Sequence, residues 1–142
     1  MLTTISSFKL AGGSYASGVV KVRQTDAAGN TSELASSQAA IAVDVTDPVA
    51  LTLALVSDSG ASGSDGVSLD GRMGVTGLET GARWQYSTNA GENWSDGSSA
   101  GFTLSEGRYA SGDVQVRQMD EAGNVSAIAQ TLTDVVIDTR AP

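Results

Sequence analysis

The residues with most chemistry to offer are carboxylates grouped with an amide in a short turn. Asp120, Glu121 and Asn124 lie within Asp120-Glu-Ala-Gly-Asn124, and the turn occurs earlier as Asp26-Ala-Ala-Gly-Asn30. Such oxygens on flexible loops suit a hard cation, because Ca2+ takes about six to eight oxygens from carboxylates, amides and backbone carbonyls. Mg2+ demands a stricter octahedron and keeps more water, so it suits the set less well. The same residues also belong to ordinary solvated turns, where Asp and Asn bond their own backbone. Composition removes other chemistries. The chain has no cysteine, hence no disulfide framework and no zinc–thiolate site, and no histidine, the commonest general base. A net charge of −8 argues against nucleic acid and anionic membrane surfaces as partners. No apolar run is long enough to span or insert into a membrane.

The turn sits inside a longer repeat. Val116-Arg-Gln-Met-Asp-Glu-Ala-Gly-Asn-Val-Ser126 matches Val22-Arg-Gln-Thr-Asp-Ala-Ala-Gly-Asn-Thr-Ser32, 94 positions earlier. Phe8 pairs with Phe102, Leu10 with Leu104, Tyr15-Ala-Ser-Gly18 with Tyr109-Ala-Ser-Gly112, Asp44 with Asp138 and Pro48 with Pro142. About half the positions agree without a gap, which marks an internal repeat. Residues 48–142 read as one complete repeat and residues 1–47 as the C-terminal half of another. The opening Met-Leu-Thr-Thr-Ile lacks the basic head and long apolar run of a signal peptide, and Met1 reads as the added start of a fragment.

The elements that position these turns are strands. Seventeen glycines and two prolines, with short alternating runs between glycine clusters, predict an all-β chain. Expected strands are 7–10, 19–25, 31–35 and 39–45 in the half repeat. In the whole repeat they are 50–56, 72–78, 83–87, 101–104, 113–119 and the last run to Asp138. That is about seven antiparallel strands per complete unit, the count of an immunoglobulin-like β-sandwich. Trp84 on the third strand is then a core residue, with apolar side chains such as Val116 beside it.

Sandwich topology sorts the acids. Asp58 and Asp65, on the loop after the first strand, share one end with Asp138. Asp120, Glu121 and Asn124 share the other end with the incoming linker, which carries Asp44 and Asp47. At that joint several carboxylates repel one another, by about 1 kcal/mol per pair in water at 4 Å and about 4 near a protein surface, unless a cation lies between them. Asp26 and Asn30 would serve the equivalent joint of the half repeat.

At these residues the chain resembles the bacterial immunoglobulin-like extender repeats of large RTX-type adhesins, the biofilm and ice-binding adhesins secreted by type I systems. The resemblance rests on Val56–Ser68, Val75–Gly97, Phe102–Ser126 and Val136–Pro142, nearly the whole repeat. It implies a mechanical role outside the cell: tandem domains on the bacterial surface that hold a ligand-binding tip away from it, with Ca2+ at or near the domain junctions and neighbouring repeats as partners. Asp120 and Asn124 match the family's acidic turn, and Asp44 and Asp138 its exit strand. Val43-Asp-Val-Thr-Asp-Pro48 departs from the usual ending by one extra acid, Asp47.

Other roles are weighed against this one. A glycosidase needs two carboxylates flanking one bond, whereas these acids lie on loops at opposite ends of a thin sandwich, so no enzyme is expected. A carbohydrate-binding module could use Trp94 as a sugar platform, although packing over its hairpin is the plainer role. Ser87-Thr-Asn-Ala-Gly-Glu-Asn-Trp94 resembles the Asp-box hairpin of sialidase propellers, with Asn89 in the place of the Asp. Arg23 and Arg117 are expected to pair with neighbouring carboxylates. Residues 1–47 would expose Val20, Val22, Ile41 and Val43, which suggests a swapped or edge-to-edge dimer.

Overall fold

The structure, a computed structural model, describes residues 7–60 and 62–141; Met1 and its reading as an added start lie outside them. The chain divides into two compact units, Met1–Val45 and Thr46–Pro142. The described residues form strands and turns and no helix. This all-β organisation follows from glycine every few residues, which breaks helical runs, and from alternating β-branched side chains, which pack well on a pleated surface.

Unit 1 is a single bent ribbon. Its strands are β1 (Gly13–Tyr15), β2 (Lys21–Val22), β3 (Ala35–Ser36) and β4 (Ile41–Val43). β1 pairs antiparallel with β4, Gly13 opposite Val43, and β2 with β3, Val22 opposite Ala35. The expected strand over 7–10 does not form, and the returning strand is interrupted in its middle, as the sequence suggested. None of its described residues is buried.

Unit 2 holds β5 (Thr52–Leu55), β6 (Val67–Ser68), β7 (Arg72–Thr76), β8 (Arg83–Ser87), β9 (Ser95–Asp96), β10 (Gly101–Thr103), β11 (Gly107–Tyr109), β12 (Gln115–Met119), β13 (Ala129–Gln130) and β14 (Val135–Ile137). One sheet runs β10-β7-β5 and another β13-β12-β8-β9, all antiparallel. A third, β11-β14-β6, includes one parallel pair, β14 with β6. The ten segments exceed the expected count because β6, β9 and β11 lie outside the expected strands and the last expected run is divided into β13 and β14; the chain kinks between β11 and β12. At the kink Gly112 has φ +87°, and the Asp134 carboxylate accepts the Ser111 N–H in place of a ladder carbonyl.

The core lies between the facing sheets. Leu51, Val75, Trp84 and Val116 form one buried cluster; Met73, Leu104, Val114, Val135 and Ile137 form the other. Trp84 is 4% exposed, has Val116 in its cluster as expected, and donates its indole N–H to the Ser99 carbonyl at 3.0 Å. Its ring meets Tyr86 and Phe102, each with centroids 6.0 Å away, and those two stack at 4.3 Å. Gly97 lies flat on the indole: a Cβ there would fall 2.1 Å from Trp84 Cε2. Burying each large apolar side chain contributes about 1.5–3 kcal/mol, so these two clusters are what hold unit 2 together.

Candidate functional site

The repeated turn is closed from within. Asp120 Oδ1 accepts the Asn124 backbone N–H at 2.9 Å, and Oδ2 accepts the Asn124 side-chain amide at 2.8 Å. The backbone completes it, with Asp120 N–H to Asn124 O at 3.0 Å and Gly123 N–H to Asp120 O at 3.1 Å. Gly123, with φ +97°, supplies the left-handed residue that lets the chain reverse so tightly. Unit 1 repeats every bond: Asp26 Oδ1 to Asn30 N–H at 2.8 Å, and Oδ2 to the Asn30 amide at 2.9 Å. The amide of Asn124 or Asn30 holds its carboxyl partner below the usual carboxylate range, with backbone N–H groups adding to the effect. Asp26 Oδ1 also accepts the Ala28 N–H at 3.0 Å, so both its lone pairs are engaged in closing the turn, while Oδ2 accepts one bond from the Asn30 amide and keeps a second lone pair.

The other members of the proposed cation sites are placed as follows. Glu121 is exposed, its carboxylate 3.0 Å from where a Cβ on Gly81 would stand. Asp44 and Asp47 are exposed, Asp44 in unit 1 and Asp47 in unit 2. At the opposite end, Asp58 Oδ2 accepts the Gly66 N–H at 2.9 Å, while Oδ1 is buried without a hydrogen-bond partner. Asp65 Oδ1 accepts the Val67 N–H at 3.0 Å, and Asp138 Oδ1 accepts the Arg140 N–H at 3.0 Å. The parallel register of β6 and β14 sets Val67 beside Val136 and Ser68 beside Ile137, and the Asp138 N–H donates to the Ser68 carbonyl at 2.9 Å. Among the described residues, no three acidic side chains gather as a metal cage.

Gln118 does more than the sequence reading assigned to it. It is fully buried, and its side-chain amide donates to the carbonyls of Val49 at 2.7 Å and Gly77 at 3.1 Å. Its Oε1 accepts the Glu79 N–H at 3.0 Å. One side chain thus ties the start of unit 2 and the loop after β7 to β12. The signal was present: alternation puts Gln118 on the same face as Val116, and a polar residue on a core face must find partners. Tyr109 is the other omission. Its hydroxyl donates to the Ser105 carbonyl at 2.9 Å, and Tyr15 does the same to Ala11 at 2.8 Å. Each hydroxyl thus closes a short loop onto its own backbone four residues upstream.

Arg117 does not pair with a carboxylate. Its guanidinium donates to Gln85 Oε1 at 2.8 and 3.0 Å and lies 4.0 Å over the Trp94 ring. Cross-strand register decides this, since Gln85 and not an acid stands opposite Arg117 on β8. Trp94 therefore has one ring face covered by a cation. The hairpin before it is fastened by Asn89, whose Oδ1 accepts the Asn93 N–H at 3.0 Å and lies 2.9 Å from Ser87 Oγ.

Neither a protein-family model nor a curated protein sequence matches the chain.

Proposed function

We propose that the chain is a spacer segment of tandem immunoglobulin-like repeats from an extracellular bacterial surface adhesin, stiffened by Ca2+ at the joints between repeats. The observation that carries this reading is one ribbon built twice. Gly107 opposite Ile137 and Val116 opposite Ala129 in unit 2 correspond, pairing for pairing, to Gly13 opposite Val43 and Val22 opposite Ala35 in unit 1. Copies of one module in series give length without new chemistry. An open groove of about 700 Å³ in unit 2 has Asp58 as the single ionisable residue among its described lining residues, so that groove lacks the paired acid and base of a hydrolase.

The donor chemistry of the joint suits Ca2+, although the acids of unit 2 by themselves form no cage. The residues that would hold an ion are Asp44 and Asp47 of the linker with Asp120, Glu121 and Asn124 of the turn. A bound ion would supply charge neutralisation there. A thermal melt with Ca2+ and with chelator tests it. A ligand that binds only the folded state adds about 2.7 kcal/mol at a hundredfold excess over Kd. An unchanged Tm would remove calcium from the proposal. For the sugar-platform alternative, Arg117 takes one face of the Trp94 ring and leaves the other.

A further inference from the structure

Two strand edges of unit 2 face one groove, and among the described residues neither has a partner there. β5 ends one sheet and β13 ends another. The open groove of about 700 Å³ is lined by every residue of 51–55 and every residue of 128–133, so it runs along both backbones. That is room for about five extended residues, about 17 Å of chain. The ladders show which backbone groups are left over. Val56 N–H donates to the Arg72 carbonyl and Thr131 N–H to the Val114 carbonyl. Strand residues address a neighbour at alternate positions, so the N–H and C=O of Leu53 and Leu55 turn away from β7, and those of Gln130 away from β12. Nothing guards the β5 edge: residues 49–57 hold no charge and no proline, whereas β9, at the far end of the second sheet, carries Asp96. Buried Leu51 and Met73 line the groove, and Ile128 and Leu132 beside them are 49% and 84% exposed. Asp58 is the single ionisable residue of the described lining, and its Oδ1 is buried with no hydrogen-bond partner among the described residues. Water does not screen that oxygen, so a cation drawn into the groove gains more than it would beside an exposed carboxylate.

We infer that this groove is a docking site for an extended peptide segment, which adds as a strand to the edge of β5 and brings a Lys or Arg to the Asp58 end. Backbone pairing with Leu53 and Leu55 supplies affinity, and alternate apolar side chains of the segment fill the groove over Leu51 and Met73. An antiparallel segment carries its cation near its own N-terminus, because Asp58 follows the C-terminal end of β5. Charge selects this occupant over a second copy of the chain. Each copy has a net charge of −8, and its own β5 stretch holds no cation to meet Asp58. The inference goes beyond the spacer role and needs no calcium.

The test titrates the full chain, in chelator, with the peptide acetyl-Lys-Val-Thr-Val-Thr-Val-amide and with the same peptide carrying Glu for Lys, followed by NMR. The expected result is a one-to-one complex with the Lys peptide, its amide shifts confined to β5, β13 and the residues around Asp58. The Glu peptide binds at least about tenfold more weakly, since it sets like charges together. Asp58→Asn keeps an acceptor for the Gly66 N–H and removes that difference between the peptides. A second measurement needs no protein variant. Two further peptides are N-methylated at alternate residues, one at every Val and one at every Thr, and at least one of them loses binding, because one set of N–H groups faces β5. Absence of binding by the Lys peptide overturns the inference, as do shifts that map outside the groove. Equal binding of the Lys and Glu forms, or undiminished binding of both methylated forms, overturns it too. So does a chain already dimeric through Leu53 and Leu55 at the concentrations used, which would make a second copy the occupant.

Discussion

Gln118→Met is the most direct probe of how unit 2 is fastened. Methionine has nearly the same length and volume, so the core stays filled while three hydrogen bonds are lost. They are those to Val49 O at 2.7 Å, Gly77 O at 3.1 Å and from Glu79 N–H at 3.0 Å. Each intramolecular hydrogen bond contributes about 0.5–1.5 kcal/mol net. The partners are only partly buried, so water replaces some of the loss, and we expect about 2–3 kcal/mol in total. For a domain of 60–100 residues, about 4–8 °C of Tm goes with each kcal/mol, which gives a drop of about 10–20 °C. The control is Gln24→Met, at an exposed position, where a change within about 0.5 kcal/mol is expected. Both tryptophans, Trp84 and Trp94, are in unit 2, so urea unfolding followed by their fluorescence reports that unit alone. A loss under about 0.5 kcal/mol, or an equal loss in the Gln24 variant, would refute the role given to the buried amide.

Hydrogen bonding from Arg72, reinforced by its charge, lowers the Asp70 carboxyl to about 2. Because the folded value lies below the unfolded one, the associated stability is present above the unperturbed value of 3.8 and is lost as pH falls through about 2. An NMR titration should place Asp70 near 2, and Arg72→Ala should return it towards 3.8; a midpoint that ignores the substitution contradicts the assignment. Gly97→Ala sets a methyl group 2.1 Å from the Trp84 ring and should cost about 1–3 kcal/mol as overpacking, read in the same urea assay. A neutral outcome there would mean that the indole has room to move. Residues 48–142 alone should keep the unfolding midpoint of the full chain within about 0.5 kcal/mol, because both core clusters are built from residues 51–137. Failure of that shorter chain to fold would show that unit 2 depends on unit 1.

The fold class was legible because its signals are local. Alternation located β8 to the residue, and the Asp-Gly-Asn turns carry their own left-handed glycines. Trp84 was legible because an apolar face on a central strand has one place to go. What escaped depends on pairing between distant segments. β6 pairs parallel with β14 only because the loop after β5 folds back, and no residue within 57–68 announces that return. Arg117 illustrates a further limit. Its charge suggested an acid, but the partner of a strand residue is set by cross-strand register, which places Gln85 opposite and Trp94 beneath it.

The turn acids carry two roles that must be separated before calcium can be tested by substitution. Asp120 closes its own turn through both oxygens, so Asp120→Ala breaks the loop whether or not an ion is present. A lost calcium response in that variant would not distinguish a missing ligand from a missing turn. The repeat shows the turn-closing role to be sufficient reason for an Asp here, because Asp26 makes the same bonds in unit 1. Glu121 and Asp47 are the informative positions. Both are exposed, and the bonds that close the turn run between Asp120 and Asn124 without them. Asp47→Asn with Glu121→Gln should therefore leave Tm in chelator unchanged and reduce the rise on adding Ca2+. If the double variant keeps the full calcium response, the ion is held elsewhere, and the extra acid of the linker has no part in joining one repeat to the next.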